Sequence, residues 1–315
     1  MAVEPIELWT ERVWLTDLLA CPICYQSLAR RANDLRCAGG HAFTIVGAIP
    51  RFTPPSSYAD SFGFEWGSFP TLQLDTDQSH ESADTFRNKT GLAPADVSKK
   101  TVLDVGCGMG RFTDVVARWG AARVVGVDIS RAVDAAAENL QRFPSVGLAQ
   151  ADVLALPFRP DAFDVVFSIG VLHHTPNTFE SLARISTLVK PGGTLAVWVY
   201  SKRLRKTLFG SEVLRPLTSR MPPDRLLKLV QQVTPRMRAI KRRLPIAKPA
   251  VDFFLPTSNH PDPEWQILDT FDWYSPRYQW KHTYQEVEGW FTELGFERIE
   301  RLDVPVAVRG RRPSL

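Results

Sequence analysis

The chain has 315 residues, 44% of them apolar, and a net charge of +4 from 38 Lys or Arg against 34 Asp or Glu. That composition excludes a disordered or fibrous chain and suffices for one large α/β domain with something smaller attached. Nowhere do 18 consecutive apolar residues occur, and Met1 to Thr10 has no basic lead, so a cytoplasmic protein without a secretory leader is expected.

In chain order, the first constellation is Cys21-Pro22-Ile23-Cys24, twelve residues, then Cys37-Ala38-Gly39-Gly40-His41. Two knuckles of soft or imidazole ligands suit a closed tetrahedral zinc site, with a hairpin between them. Cys21, Cys24, Cys37 and His41 are therefore the expected metal ligands, in a ribbon-like segment over 1–55. The grouping leaves no disulfide framework, since the fourth cysteine, Cys107, stands elsewhere. Pro54-Pro55-Ser56-Ser57 reads as a linker. Residues 56–96 follow as an aromatic flap, with Phe62, Phe64, Trp66 and Phe69 in a nominal loop, and a polar approach with a short helix near Ser82 to Thr90.

The next segment, 97–200, carries the richest signal. Val102 to Val105 is an apolar strand that breaks into Gly106-Cys107-Gly108-Met109-Gly110 and then helix-forming residues. Glycines there permit a tight turn and let a ligand lie against bare backbone, at the start of a helix whose amides point outward. Arg111 stands where a dinucleotide fingerprint wants its third glycine, and Asp104 sits inside the strand, so the spacing departs from an NAD site. A second strand ends in Asp128-Ile129, its carboxylate placed for both hydroxyls of a ribose. After a helix from Arg131 to Arg142 and a strand near Val146 to Ala149, Asp152-Val153 offers an acceptor for an adenine amino group. Phe163 to Ser168 is a fourth strand, Val171-Leu172-His173-His174 the loop after it, and Gly193 to Tyr200 a fifth strand.

These pieces, with Leu156-Pro157-Phe158 and Val189-Lys190-Pro191-Gly192-Gly193, resemble in order the motifs of the class I S-adenosylmethionine-dependent methyltransferases. They are similar to the small-molecule branch that includes the ubiquinone and menaquinone biosynthesis enzymes. The resemblance spans about residues 100 to 200 and implies a Rossmann-like α/β fold, a seven-stranded sheet with helices on both faces. It also implies S-adenosylmethionine held by Asp104, Gly106, Cys107, Gly108, Gly110, Asp128, Ile129, Asp152, Val153 and Ser168, with Asp128 on the ribose and Asp152 on the adenine. The N-terminal segment is similar to the zinc-ribbon activator of tRNA and translation-factor methyltransferases, and to the ribbon of certain 23S rRNA guanine methyltransferases, with His41 where those place a cysteine. Phe64, Glu65 and Trp66 then either seal the sheet or form a wall near the sulfonium. His173 and His174 are the candidate general bases, set where α/β sheets place ligands. In-line methyl transfer can also proceed by alignment alone.

Beyond residue 200 the composition changes. Residues 201–250 carry 14 Lys or Arg against Glu212 and Asp224, a net +12, which leaves −8 for the rest of the chain. A basic helical insertion over 201–262 is expected, with a helix starting at Pro222-Pro223-Asp224. It reads as a lid, as a patch for an anionic membrane surface or phosphate-bearing substrate, or, less favoured, as a nucleic-acid surface. Residues 263–315 should complete the sheet. Tyr274, Tyr278 and His282 are loop candidates for the substrate pocket, Thr283 and Glu286 a capping box, and Arg309 to Leu315 a disordered tail. The expected function is methyl transfer to an O, N or C nucleophile of a small or lipid-linked metabolite. An rRNA or tRNA base methyltransferase and a non-catalytic scaffold are the alternatives, and the oligomeric state is left open.

Overall fold

The structure, a computed structural model, describes residues 12–54, 57–76, 78–205 and 209–314. The reading of the first ten residues as leaderless therefore lies outside the described residues. A short helix, α1 (Trp14–Leu18), leads into a four-stranded antiparallel meander, β1 (Ala29–Arg31), β2 (Asp34–Arg36), β3 (Ala42–Val46) and β4 (Ile49–Pro50). Three helices follow, α2 (Asp60–Ser68), α3 (Glu81–Thr90) and α4 (Pro94–Val97), before the main sheet begins.

That sheet alternates β5 (Thr101–Val105), α5 (Arg111–Arg118), β6 (Arg123–Asp128), α6 (Ala132–Leu140), β7 (Val146–Gln150), β8 (Phe163–Ile169), α7 (Thr178–Ser186) and β9 (Val189–Trp198). After an insertion it closes with α11 (Pro263–Tyr274), α12 (Tyr284–Glu293), β10 (Glu297–Arg301) and β11 (Ala307–Arg311). Its order is β10-β11-β9-β8-β5-β6-β7, parallel except for β10 and β11. Parallel strands covered on both faces read as continuous apolar runs, and β7 is buried at every residue. Chain order reverses between β5 and β8, which opens a crevice beyond their carboxyl ends.

Alternation along β5 assigns its side chains to two cores. Leu103 and Val105 join the face that holds Leu182, Ile185 and Phe291; Val102 joins the face that holds Val115, Val133 and Phe167. The N-terminal ribbon belongs to the first face, because Leu15, Leu19, Cys21, Leu28, Leu35 and Cys37 pack in the same cluster. Backbone bonds tie it down: Ala20 N–H to the Pro157 carbonyl (2.8 Å) and Phe52 N–H to that of Gln150 (2.8 Å).

The basic insertion is helical as expected, with α8 (Phe209–Thr218), α9 (Pro223–Arg243) and α10 (Lys248–Phe254). Pro223 occupies the first turn of α9 after Pro222. Its inner stripe, Leu226 and Val230, packs on Phe271 and Tyr274 of α11, with Phe64 of α2 alongside. Three expectations need correction. The nominal loop from Tyr58 to Phe69 is mostly the helix α2. The aromatics Phe271 to Tyr274 belong to α11, which Asp262 starts by accepting the N–H groups of Glu264 and Trp265 at 2.8 and 2.9 Å. The tail is ordered through Arg311 because β11 pairs with β9; Arg312 N–H then bonds the Gly193 carbonyl.

Candidate active site

The glycine turn after β5 holds Gly106, Gly108 and Gly110 at φ of +81°, +53° and +91°, values that a side chain resists. Each glycine meets a different neighbour. A β-carbon on Gly106 would lie 2.2 Å from Val171, one on Gly108 3.0 Å from the Trp66 indole nitrogen, and one on Gly110 2.7 Å from Leu140. Beneath the turn, Asp104 faces α5 and accepts the Thr113 hydroxyl at 2.7 Å. Burial raises its pKa to about 7. Ser168 donates to the Val105 carbonyl at 2.9 Å and so ties β8 to β5.

Asp128 closes β6 under the same turn. One carboxylate oxygen accepts the Gly108 N–H at 3.0 Å; the other accepts the Ser130 N–H and hydroxyl at 2.9 and 2.7 Å. Burial raises its pKa against those bonds. The oxygen bonded to Gly108 keeps one acceptor site, while the oxygen facing Ser130 already takes two bonds. Asp152 caps the single turn Val153–Ala155, accepting the Leu154 N–H at 3.0 Å and the Tyr58 hydroxyl at 3.3 Å.

A cavity of about 360 Å³ lies at this crevice and is lined by Gly106, Cys107, Gly108, Asp128, Ile129, Val153 and His174. Asp104, Gly110, Asp152, Ser168 and His173 are not among its lining residues. Aromatic walls come from Phe62 and Trp66 of α2, Trp198, Tyr200 and Trp273. So do charged groups from distant segments: Glu65, Lys89, Arg111, Asp269 and Asp272. Of these, the sequence alone points only to Glu65 as a candidate wall residue. Asp269 and Asp272 are three apart on one helix and share a face, the one signal that was available for them. Tyr274, Tyr278 and His282 do not line the cavity. The Tyr274 hydroxyl donates to the Pro256 carbonyl (3.0 Å), the Tyr278 ring meets Tyr58, and His282 packs on Trp290.

The two histidines differ. His174 Nδ1 lies 2.8 Å from the Tyr278 carbonyl, which can only accept, so Nδ1 carries the hydrogen and Nε2 keeps its lone pair. Burial lowers its pKa and holds the ring neutral. His173 is fully enclosed between Tyr200 and His174, and neither ring nitrogen has a partner among the described residues.

At the ribbon, donor atoms of Cys21, Cys24, Cys37 and His41 all lie within 4.8 Å of one another. His41 Nδ1 is 3.5 Å from the Cys21 sulfur and 3.3 Å from that of Cys37, and the Cys24 and Cys37 sulfurs are 3.5 Å apart. Tetrahedral zinc with bonds of about 2.0–2.3 Å has ligand–ligand edges of about 3.3–3.8 Å. The donor set fits.

Residues 103–197 match a family model described as a methyltransferase domain. With the sheet order and the glycine turn over Asp128, this makes the core a class I S-adenosylmethionine-dependent methyltransferase domain. Among similar proteins, the trans-aconitate 2-methyltransferase of Methylobacterium nodulans is 34% identical over 42% of this chain and 49% of its own length. The ubiquinone biosynthesis O-methyltransferase of Albidiferax ferrireducens is 36% identical over 35% and 44%, and the tRNA U34 carboxymethyltransferase of Shewanella denitrificans 38% identical over 32% of each. The chain thus spans about half the length or less of these relatives, all three alignments being confined to about a third or two fifths of it.

Proposed function

We propose that the chain transfers the methyl group of S-adenosylmethionine to a nucleophile of a small or lipid-linked metabolite. The observation that carries this reading is one cavity lined both by the Gly106–Gly108 turn with Asp128 and by a neutral histidine, His174. The cofactor supplies an electrophilic methyl on a sulfonium with a good leaving group. Asp128 would accept a ribose hydroxyl with its remaining lone pair, and Val153 and Ile129 would flank the adenine. Trp66, beside Gly108, would offer the sulfonium an aromatic face. Arg111 would supply positive charge for the cofactor's carboxylate, with Lys89 beside it, whose pKa burial lowers to about 7. His174 takes a proton from the acceptor through Nε2, and the roof of α2, α9 and α11 excludes water. Calorimetric titration with S-adenosylhomocysteine tests this: micromolar binding lost in Asp128→Ala is expected, and no binding to the wild-type chain would sink it.

Zinc at Cys21, Cys24, Cys37 and His41 has a structural role, since four protein ligands leave no open position. The outer face of the insertion favours an anionic bilayer over a plain lid. Phe209, Val213 and Leu217, spaced four apart on α8, are exposed, as are Phe253, Phe254, Leu244 and Ile246, and the Phe209 and Phe253 rings stack at 4.7 Å. Arg236, Arg238, Arg242, Arg243 and Lys248 are exposed in the same insertion. Apolar anchors amid cations describe an interfacial surface, and no described helix is long and apolar enough to cross a membrane. Co-sedimentation with phosphatidylglycerol vesicles, lost with phosphatidylcholine alone and in the double variant Phe253→Ser with Phe254→Ser, is the expected result. Retention on RNA in place of vesicles would favour the nucleic-acid reading.

A further inference from the structure

Three carboxylates line the cavity apart from Asp128: Glu65 on α2 and Asp269 and Asp272 on α11. Glu65 is 2% exposed, and its Oε2 has no hydrogen-bond partner among the described residues. An unpartnered carboxylate oxygen at that depth is costly unless a ligand supplies a donor. Asp272 accepts the Tyr200 hydroxyl at 2.8 Å and Asp269 that of Ser258 at 2.9 Å, which leaves acceptor capacity on both. The three repel one another: burial first, then Asp272 and Asp269, raises the Glu65 pKa. The cavity's cations offset this only in part: Arg111 acts on Asp269 and both aspartates act on Lys89 from a distance, and their own contacts lie elsewhere. Lys89 rests its ammonium 3.5 Å over the Trp198 ring, and Arg111 donates to Gln73 and Ser82. Aromatic rings share the cavity with the carboxylates, among them Tyr200, hydrogen-bonded to Asp272, and Trp273, next to it in α11.

Carboxylates with open lone pairs amid aromatic faces are the chemistry that recognises an organic ammonium. We infer that the acceptor is a primary or secondary amine, held as its ammonium by Glu65, Asp269 and Asp272 and methylated on nitrogen. This rests on the methyltransferase reading and narrows its acceptor from O, N or C to N. His174 Nε2, which Asp272 makes more basic against its burial, takes one proton from the bound ammonium. The freed lone pair then forms the N–C bond as the pair of the breaking S–C bond stays on sulfur. The methylated nitrogen is again cationic and remains matched by the carboxylates, and the proton on His174 returns to water.

The test uses the full chain saturated with S-adenosylhomocysteine and a thermal-shift library of amines, alcohols and carboxylates built on the same carbon scaffolds. Amines alone should raise the melting midpoint. For the best amine, Glu65→Gln should weaken calorimetric affinity about ten- to a hundredfold, the loss of a charge-assisted hydrogen bond, and Glu65→Asp should restore part of it. Affinity for S-adenosylhomocysteine should not change in Glu65→Gln, with circular dichroism as the check on folding. Carboxylate hits overturn the inference, as does a library without an amine hit or an amine that binds Glu65→Gln undiminished. A folded Glu65→Gln that loses S-adenosylhomocysteine places Glu65 on the cofactor's own ammonium and also overturns it. Failure of the wild-type chain to bind S-adenosylhomocysteine would instead sink the methyltransferase reading.

Discussion

Val171 lies so close to Gly106 that a β-carbon there would meet its Cγ2 at 2.2 Å. The loop after β8 and the turn after β5 are thereby locked together at the point where the sheet order reverses. Gly106→Ala should lower stability by about 1–3 kcal/mol through overpacking and positive φ and abolish S-adenosylhomocysteine binding. Adding Val171→Ala should recover part of the stability, since it removes the clash and leaves the backbone strain. Urea midpoints of the three proteins decide; a single variant as stable as wild type would mean that the turn is slack.

Asp104 makes a second prediction about pH. Its folded pKa of about 7 stands above the ordinary 3.8 because it is buried, so between those values the folded state binds the extra proton. Its contribution to stability is complete below about pH 4 and lost as pH rises through 7. Asp104→Asn keeps an acceptor for the Thr113 hydroxyl without the charge. It should match wild type at pH 4 and exceed it at pH 8, by on the order of 4 kcal/mol at most. A gap between the two proteins that stays constant over that range would contradict the assignment.

Much of this was legible because buried parallel strands are apolar throughout, so β5 to β8 and the acids at their ends stand out in the sequence. Asp104 shows the limit. It reads as a ligand from its place in the motif, yet period-2 alternation turns it to the side opposite Leu103 and Val105, onto Thr113. Helix α2 was hidden because Gly63 and Gly67 interrupt it and its buried residue is a glutamate. The acidic wall was hidden for a different reason: Glu65 and Asp272 are about two hundred positions apart, and only the packing of α2 beside α11 unites them.

The ribbon gives a third prediction. Cys21 and Cys37 belong to the same apolar core as Leu103 and Val125, so removing the metal should loosen more than the ribbon. Elemental analysis should find about one zinc per chain. A strong chelator or Cys24→Ser should lower the melting midpoint of the whole protein, whereas His41→Cys should keep the zinc. Full metal content in Cys24→Ser would show that the ion sits elsewhere.

His174 and His173 should separate kinetically. The first lines the cavity with Nε2 free to accept a proton; the second is sealed behind it, held neutral by burial. A general base contributes about 10²–10⁴-fold, so His174→Gln should lower kcat by that order with little change in S-adenosylhomocysteine affinity. It should also remove the acidic limb of the pH–rate profile, because wild-type activity falls as Nε2 becomes protonated. His173→Gln places an amide in a sealed site and should show its cost in stability, at about 1–3 kcal/mol for a poorly paired polar group, while the acidic limb persists. Equal losses of kcat in the two variants, with the limb intact in both, would leave alignment in a dry cavity as the source of the rate.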